Sequence, residues 1–154
     1  MSHIRANHEG GERLVGCWKL VSWKSMVEGE PRDLFGAKPR GSLILTASGR
    51  AIVLTTAENR TPGDSEAQRA ALHKSMLAYT GRYRIEGDEF VTTVDASWNE
   101  AWNGTEQRRK FRFEGDRLII ESVPAPSLLF PGKVDYRRIV WEREDLNTAG
   151  RGLP

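Results

Sequence analysis

The sequence predicts an all-β protein, an eight-stranded antiparallel barrel with one short lid helix. Three observations carry that expectation. Strand-like runs recur at fairly even spacing, turn signals separate them, and a single stretch of helix formers interrupts the series. The 154 residues suffice for one domain with one core. That domain is expected over 13–144, with 1–12 and 145–154 as flexible tails rich in Gly, Asn and charge.

The first run, Leu14 to Val27, ends at the turn Glu28-Gly29-Glu30-Pro31. Ser42–Thr46 and Ala51–Thr56 flank Ala47-Ser48-Gly49-Arg50, a tight hairpin in which Gly49 can take positive φ. Ser65-Glu66-Ala67-Gln68 then has the form of a helix capping box. Good helix formers continue to about Ala78, with Leu72 and Met76 on one face. That face is thin and Ala-rich, so the helix should cover an opening and not enter a core. Strands resume at Tyr79–Glu86 and Phe90–Trp98, then Glu106–Phe113 and Arg117–Val123, with a Pro-rich loop before Asp135–Arg143.

Composition excludes several classes. With 38% hydrophobic and 29% charged residues, the chain is too apolar for wholesale disorder. A formal charge of +2 gives no concentrated basic stripe, so neither nucleic acid nor a membrane surface is an expected partner. The lone Cys17 excludes an internal disulfide and suits a reducing compartment. The polar N-terminus holds no apolar stretch of signal-peptide length, and no run approaches the roughly 20 apolar residues of a membrane span. A cytoplasmic location is expected. His3, His8 and His73 have no neighbouring His or Cys, so no metal and no cofactor is expected.

Strand alternation points to the site. Arg108, Lys110 and Arg112 share one face and belong in water; Gln107, Arg109, Phe111 and Phe113 share the other and must point inward. A guanidinium among aromatics is costly unless a carboxylate or a ligand answers it. On Phe90–Trp98 two faces compete: Val91, Thr93, Asp95 and Ser97 against Phe90, Thr92, Val94, Ala96 and Trp98. The first set would let Asp95 pair with Arg109, while the second is the more apolar. On Arg117–Val123, Leu118, Ile120 and Ser122 form the expected interior. On the opening strand Trp18 and Trp23 fall on opposite faces, which leaves open a second layer or a homodimer contact.

Several stretches in order resemble the bacterial lipocalin-like domain family. They begin with Gly16-Cys17-Trp18-Lys19-Leu20-Val21-Ser22, whose G-x-W opens lipocalin barrels, and Pro39-Arg40-Gly41-Ser42-Leu43-Ile44-Leu45-Thr46. They continue through Ala78-Tyr79-Thr80-Gly81-Arg82-Tyr83 and Trp102-Asn103-Gly104-Thr105-Glu106-Gln107-Arg108-Arg109 to Gly115-Asp116-Arg117-Leu118 and Val140-Trp141-Glu142-Arg143. The resemblance implies a calycin-like barrel with a cavity, in which Trp18 plugs the closed end under Arg138 or Arg143. The chain departs from the family at Thr92 or Thr93, where the resemblance leads one to expect His, and at Glu100, where it implies Pro.

These readings converge on binding of an apolar or aromatic metabolite in the barrel. The expected ligand-binding residues are Arg109, Gln107, Phe111, Tyr79, Tyr83, Asp95 and Trp102. The alternative is a cofactor-free isomerase, cyclase or dehydratase, with Arg109 as electrostatic stabiliser and Tyr83 or Asp95 as acid or base. A third reading is a filled scaffold that docks through Val21 and Trp23.

Overall fold

A computed structural model describes residues 8–127 and 130–145, with the side chains of His8 and Glu9 excepted. Strands β1 (Gly16–Val27), β3 (Arg40–Leu45), β4 (Arg50–Thr56) and β5 (Met76–Glu86) form half of a barrel. Strands β6 (Glu89–Ser97), β7 (Glu106–Glu114), β8 (Arg117–Ser122) and β10 (Val134–Arg143) form the rest. Neighbours in sequence are antiparallel neighbours in space, and β1 closes the barrel by pairing with both β3 and β10. The expected eight-stranded barrel is therefore present. Two short strands absent from the sequence reading, β2 (Glu30–Arg32) and β9 (Ala125–Pro126), extend the sheet beside β1 and β10 at the mouth.

Two helices flank the barrel. Helix α1 (His8–Leu14) falls partly in the segment expected as a loose tail, and it seals the closed end. Its Gly10 and Gly11 lie over the Phe111 and Ile85 side chains, and Leu14 is fully buried. Of the two expected tails, residues 1–7 and 146–154 lie outside the described residues. Helix α2 (Glu66–Lys74) starts at Ser65 with both bonds of the capping box in place. It stops earlier than its composition suggests. Ser75 caps it with a backbone N–H to Ala71 and Leu72, and Met76 already belongs to β5. Neither helix, nor any other helical segment among the described residues, is long and apolar enough to cross a membrane.

The closed end is a packed core. Trp18 is 2% exposed, donates its indole N–H to the Leu14 carbonyl at 2.9 Å and lies under the Arg143 guanidinium at 4.2 Å. Arg143, not Arg138, is thus the arginine of this contact, and it also donates to the Val15 and Arg13 carbonyls. Gly16 has φ +141°, and a Cβ there would sit 2.5 Å from Arg143 Nη1. The glycine of the G-x-W motif is therefore required by backbone conformation and by its arginine neighbour. Above Trp18 and Arg143 the next cross-strand row is Leu20, Trp141, Leu118 and Phe113.

Two β-bulges re-phase the strands, and both correct the alternation read from sequence. The register of β1 against β10 shifts between Leu20 and Ser22, so Val21 is the extra residue. Beyond it Trp23, Ser25 and Val27 join Trp18 and Leu20 on the inner face. Trp23 is 5% exposed and stacks on Phe35 with centroids 4.2 Å apart. The surface that Val21 and Trp23 were expected to offer a partner does not exist. The second shift, between Thr80 and Gly81 of β5, leaves Asp95 as the extra residue of β6. Phe90, Thr92 and Val94 face inward as the apolar reading had it, whereas Ala96 turns out and Ser97 pairs with inward Tyr79. Gly81 is what lets the chains close on this bulge, since a Cβ would meet the Thr93 carbonyl at 2.1 Å.

Two substitutions test this construction by chemical denaturation. Trp18→Ala should cost about 3–5 kcal/mol, because it empties a large buried site under Arg143. Gly81→Ala should cost about 1–3 kcal/mol or more through overpacking against backbone that cannot move aside.

Candidate functional site

The upper half of the barrel is hollow. A cavity of about 800 Å³ opens at the end opposite Trp18, where Lys74 of α2 and the start of β5 reach its rim. That volume lies in the range that holds a drug-sized molecule. Its apolar walls come from Trp23, Phe35, Met76, Leu77, Trp98 and Ile139. Trp102, in a single 3-10 turn over Glu100–Trp102, packs edge-on against Trp98 at 5.0 Å and completes the aromatic side.

The polar side is a continuous belt. Arg109 of β7 pairs in register with Ser122 of β8, whose Oγ accepts from the Arg137 backbone N–H of β10 at 2.8 Å. Arg137 in turn faces Ser25 of β1. Four polar side chains therefore follow one another across four adjacent strands, between the packed end and the mouth.

Arg109 is half-buried in this belt. Its Nη1 donates to the Arg108 carbonyl at 2.9 Å and its Nη2 to Gln107 Oε1 at 3.1 Å. No carboxylate among the described residues lies within ion-pairing distance. A guanidinium offers five donors, so most of the Arg109 fork remains available to the cavity. Arg137 differs: its Nη1 pairs with Asp135 Oδ1 at 3.1 Å, and its guanidinium carbon lies 5.5 Å from the Trp23 ring.

The structure divides the seven expected residues into three groups. Arg109, Gln107 and Trp102 line the cavity. Phe111, Tyr79 and Tyr83 instead belong to the packed interior beneath it: Phe111 and Tyr83 contact Phe90, and Tyr79 contacts Trp102. Tyr83 has already committed its hydroxyl, which donates to the Thr46 carbonyl at 2.7 Å, and burial raises its pKa above the ordinary 10.0. Asp95 is a correction. The bulge turns it to the outer face, where Thr80 donates to it and Arg50 pairs with it, and these two hold its carboxyl below the usual range. It cannot meet Arg109. The acid and base proposed for catalysis thus both stand away from the cavity.

Sequence reasoning missed the cavity residues Trp23, Asp135 and Arg137. The Val21 bulge hid the first. On β10 the outer residues Val134, Tyr136 and Val140 look more apolar than the inner Asp135 and Arg137, so alternation points the wrong way. Among the described residues, no three His, Cys, Asp or Glu side chains gather as metal ligands would.

Closed antiparallel barrel, plugged end and aromatic cavity together define the calycin class, a barrel built around an internal small-molecule site. A family model for the lipocalin-like domain matches residues 15–144. The chain belongs to the lipocalin-like domain family. No curated protein matches it.

The role given to Tyr83 has its own test. Tyr83→Phe should cost about 1 kcal/mol through the lost bond to Thr46 and leave ligand binding unchanged. Because the folded pKa is raised, the wild type holds the associated stability below pH 10.0 and loses it as pH climbs further. The Phe variant should show no such loss, which pH-dependent denaturation would read directly.

Proposed function

We propose that the barrel binds a small apolar or aromatic metabolite carrying an anionic or carbonyl group, oriented by Arg109. The observation that carries this reading is the Arg109 fork in the cavity wall, held by Gln107 and a backbone carbonyl with no carboxylate to neutralise it. Removing a guanidinium from water toward an apolar cavity is costly unless something of opposite charge or strong acceptor character meets it. An anionic group supplies this, and the planar fork suits carboxylate-like geometry. The aromatic walls around Trp23, Trp98 and Trp102 supply stacking and apolar contact for the rest of the molecule.

Fluorescence titration tests the reading with two probes of similar shape, the anionic 1-anilinonaphthalene-8-sulfonate and the uncharged N-phenyl-1-naphthylamine. Charge-assisted hydrogen bonds contribute about 1.5–3 kcal/mol, so Arg109→Met should weaken the sulfonate about tenfold or more. The uncharged probe should change by less than about threefold on the same scale. Thermal stability should stay level or rise, because no partner carboxylate is stranded. Loss of both probes alike, or of neither, would remove Arg109 from the site.

A further inference from the structure

Arg109 has a counterpart two strands away. Strands β7 and β10 are both antiparallel to β8, so they run in the same direction. On each, an inward arginine is held by the inward residue two positions before it, on the mouth side. Gln107 Oε1 accepts from Arg109 Nη2 at 3.1 Å, and Asp135 Oδ1 pairs with Arg137 Nη1 at 3.1 Å. Ser122 stands between the two arginines. It pairs with Arg109 in the β7–β8 ladder, and its Oγ accepts the Arg137 backbone N–H at 2.8 Å. That bond uses a lone pair of the hydroxyl and leaves its proton to donate. All three side chains line the cavity. Among the described residues nothing accepts from the Ser122 O–H or from Nε and Nη2 of Arg137.

Two guanidiniums with a hydroxyl between them make a donor set that one anionic group can answer. Two strand spacings of about 4.8 Å place the backbones of β7 and β10 about 10 Å apart. Inward side chains of a closed barrel converge from there toward its axis. The lining as a whole holds Lys74, Arg108, Arg109 and Arg137 against Glu106 and Asp135, an excess of two positive charges. A carboxylate brings one charge and two oxygens, which one arginine fork satisfies. A phosphate monoester brings close to two charges above about pH 6 and three terminal oxygens. That is one oxygen for each guanidinium and one for the serine hydroxyl. A sulfate ester presents the same three oxygens with a single charge, so shape and charge can be told apart.

We propose that Arg109, Ser122 and Arg137 form a seat for a phosphate monoester, so that the cavity takes a phosphorylated aromatic metabolite. This inference rests on the reading of the cavity as a site for an anionic ligand, and the test separates the two. Isothermal titration at about pH 8 compares 2-naphthol, 2-naphthyl sulfate and 2-naphthyl phosphate, which share one ring system. The sulfate should bind about tenfold more tightly than 2-naphthol through Arg109, and the phosphate about tenfold more tightly again. Ser122→Ala should weaken the phosphate about threefold or more and leave 2-naphthol unchanged. Arg137→Gln combined with Asp135→Asn, which strands no carboxylate, should bring the phosphate down to the level of the sulfate. Arg137→Lys keeps a cation for Asp135 without the fork, and should weaken the phosphate about threefold or more even if the double variant fails to fold. A wild type that binds phosphate no more tightly than sulfate overturns the seat and leaves the role of Arg109 standing. So does a phosphate affinity that Ser122→Ala or the Arg137 variants fail to lower. Failure of all three compounds to bind overturns the ligand site as well.

Discussion

Everything in this barrel depends on how β1 meets β10. This ladder closes the cylinder, and its register decides which side chains of the two strands reach the interior. A slip of one residue would turn the inward set of one strand, Trp18 and Leu20 or Trp141 and Ile139, to the outside, so the pairing is specified by the whole apolar set at once. The Leu20/Ser22 irregularity is the one place where the pairing departs from strict alternation. By taking up Val21 as an extra residue, β1 keeps two tryptophans on the same face although five positions separate them. Trp18 then fills the base while Trp23 lines the cavity.

The interior is consequently graded. Its floor is dry and close-packed, with Trp18, Trp141, Leu118 and Leu14 essentially without exposure. Above it comes the belt of Arg109, Ser122, Arg137 and Ser25, and above that the aromatic mouth. In the proposed role such layering orients a bound molecule, because fixed polar groups define which way round an apolar body lies. The outer wall is managed differently. Arg84, Glu86, Glu89, Glu106 and Arg108 form a lattice of ion pairs across β5, β6 and β7. These pairs are largely exposed and contribute little each, but they leave this side of the barrel without apolar surface.

The eight barrel strands, most of their turns and the helix cap were legible because each is written in local chemistry: Gly49 in its turn, Ser65 and Gln68 in their box. The inward course of Gln107, Arg109, Phe111 and Phe113 was legible too, since charged Arg108, Lys110 and Arg112 leave one solution and β7 has no bulge. The inward polar residues of β1 and β10 were not legible. A bulge is a property of a pair of strands, and nothing in Leu20-Val21-Ser22 or Asp95-Ala96 read alone announces one. The sequence also misleads at the cavity wall, because Asp135 and Arg137 take inward places on β10 that burial alone would give to apolar residues. Helix α1 was missed for a third reason: two glycines look like tail composition when the Phe111 and Ile85 side chains they lie over are not in view.

Helix α2 has a consequence for timing. It buries none of its own residues and is held at its C-terminal end by a few polar contacts. Arg60 donates to the Leu72 carbonyl and Ser75 Oγ, and the His73 Nε2–H donates to the Trp98 carbonyl at 3.0 Å. The eight strands carry the core, so swinging this helix aside breaks no part of it. Local opening of such a segment lies at the low end of the free-energy scale, far below global unfolding. In the proposed role, the rim at Lys74 can therefore open without the barrel around the cavity coming apart.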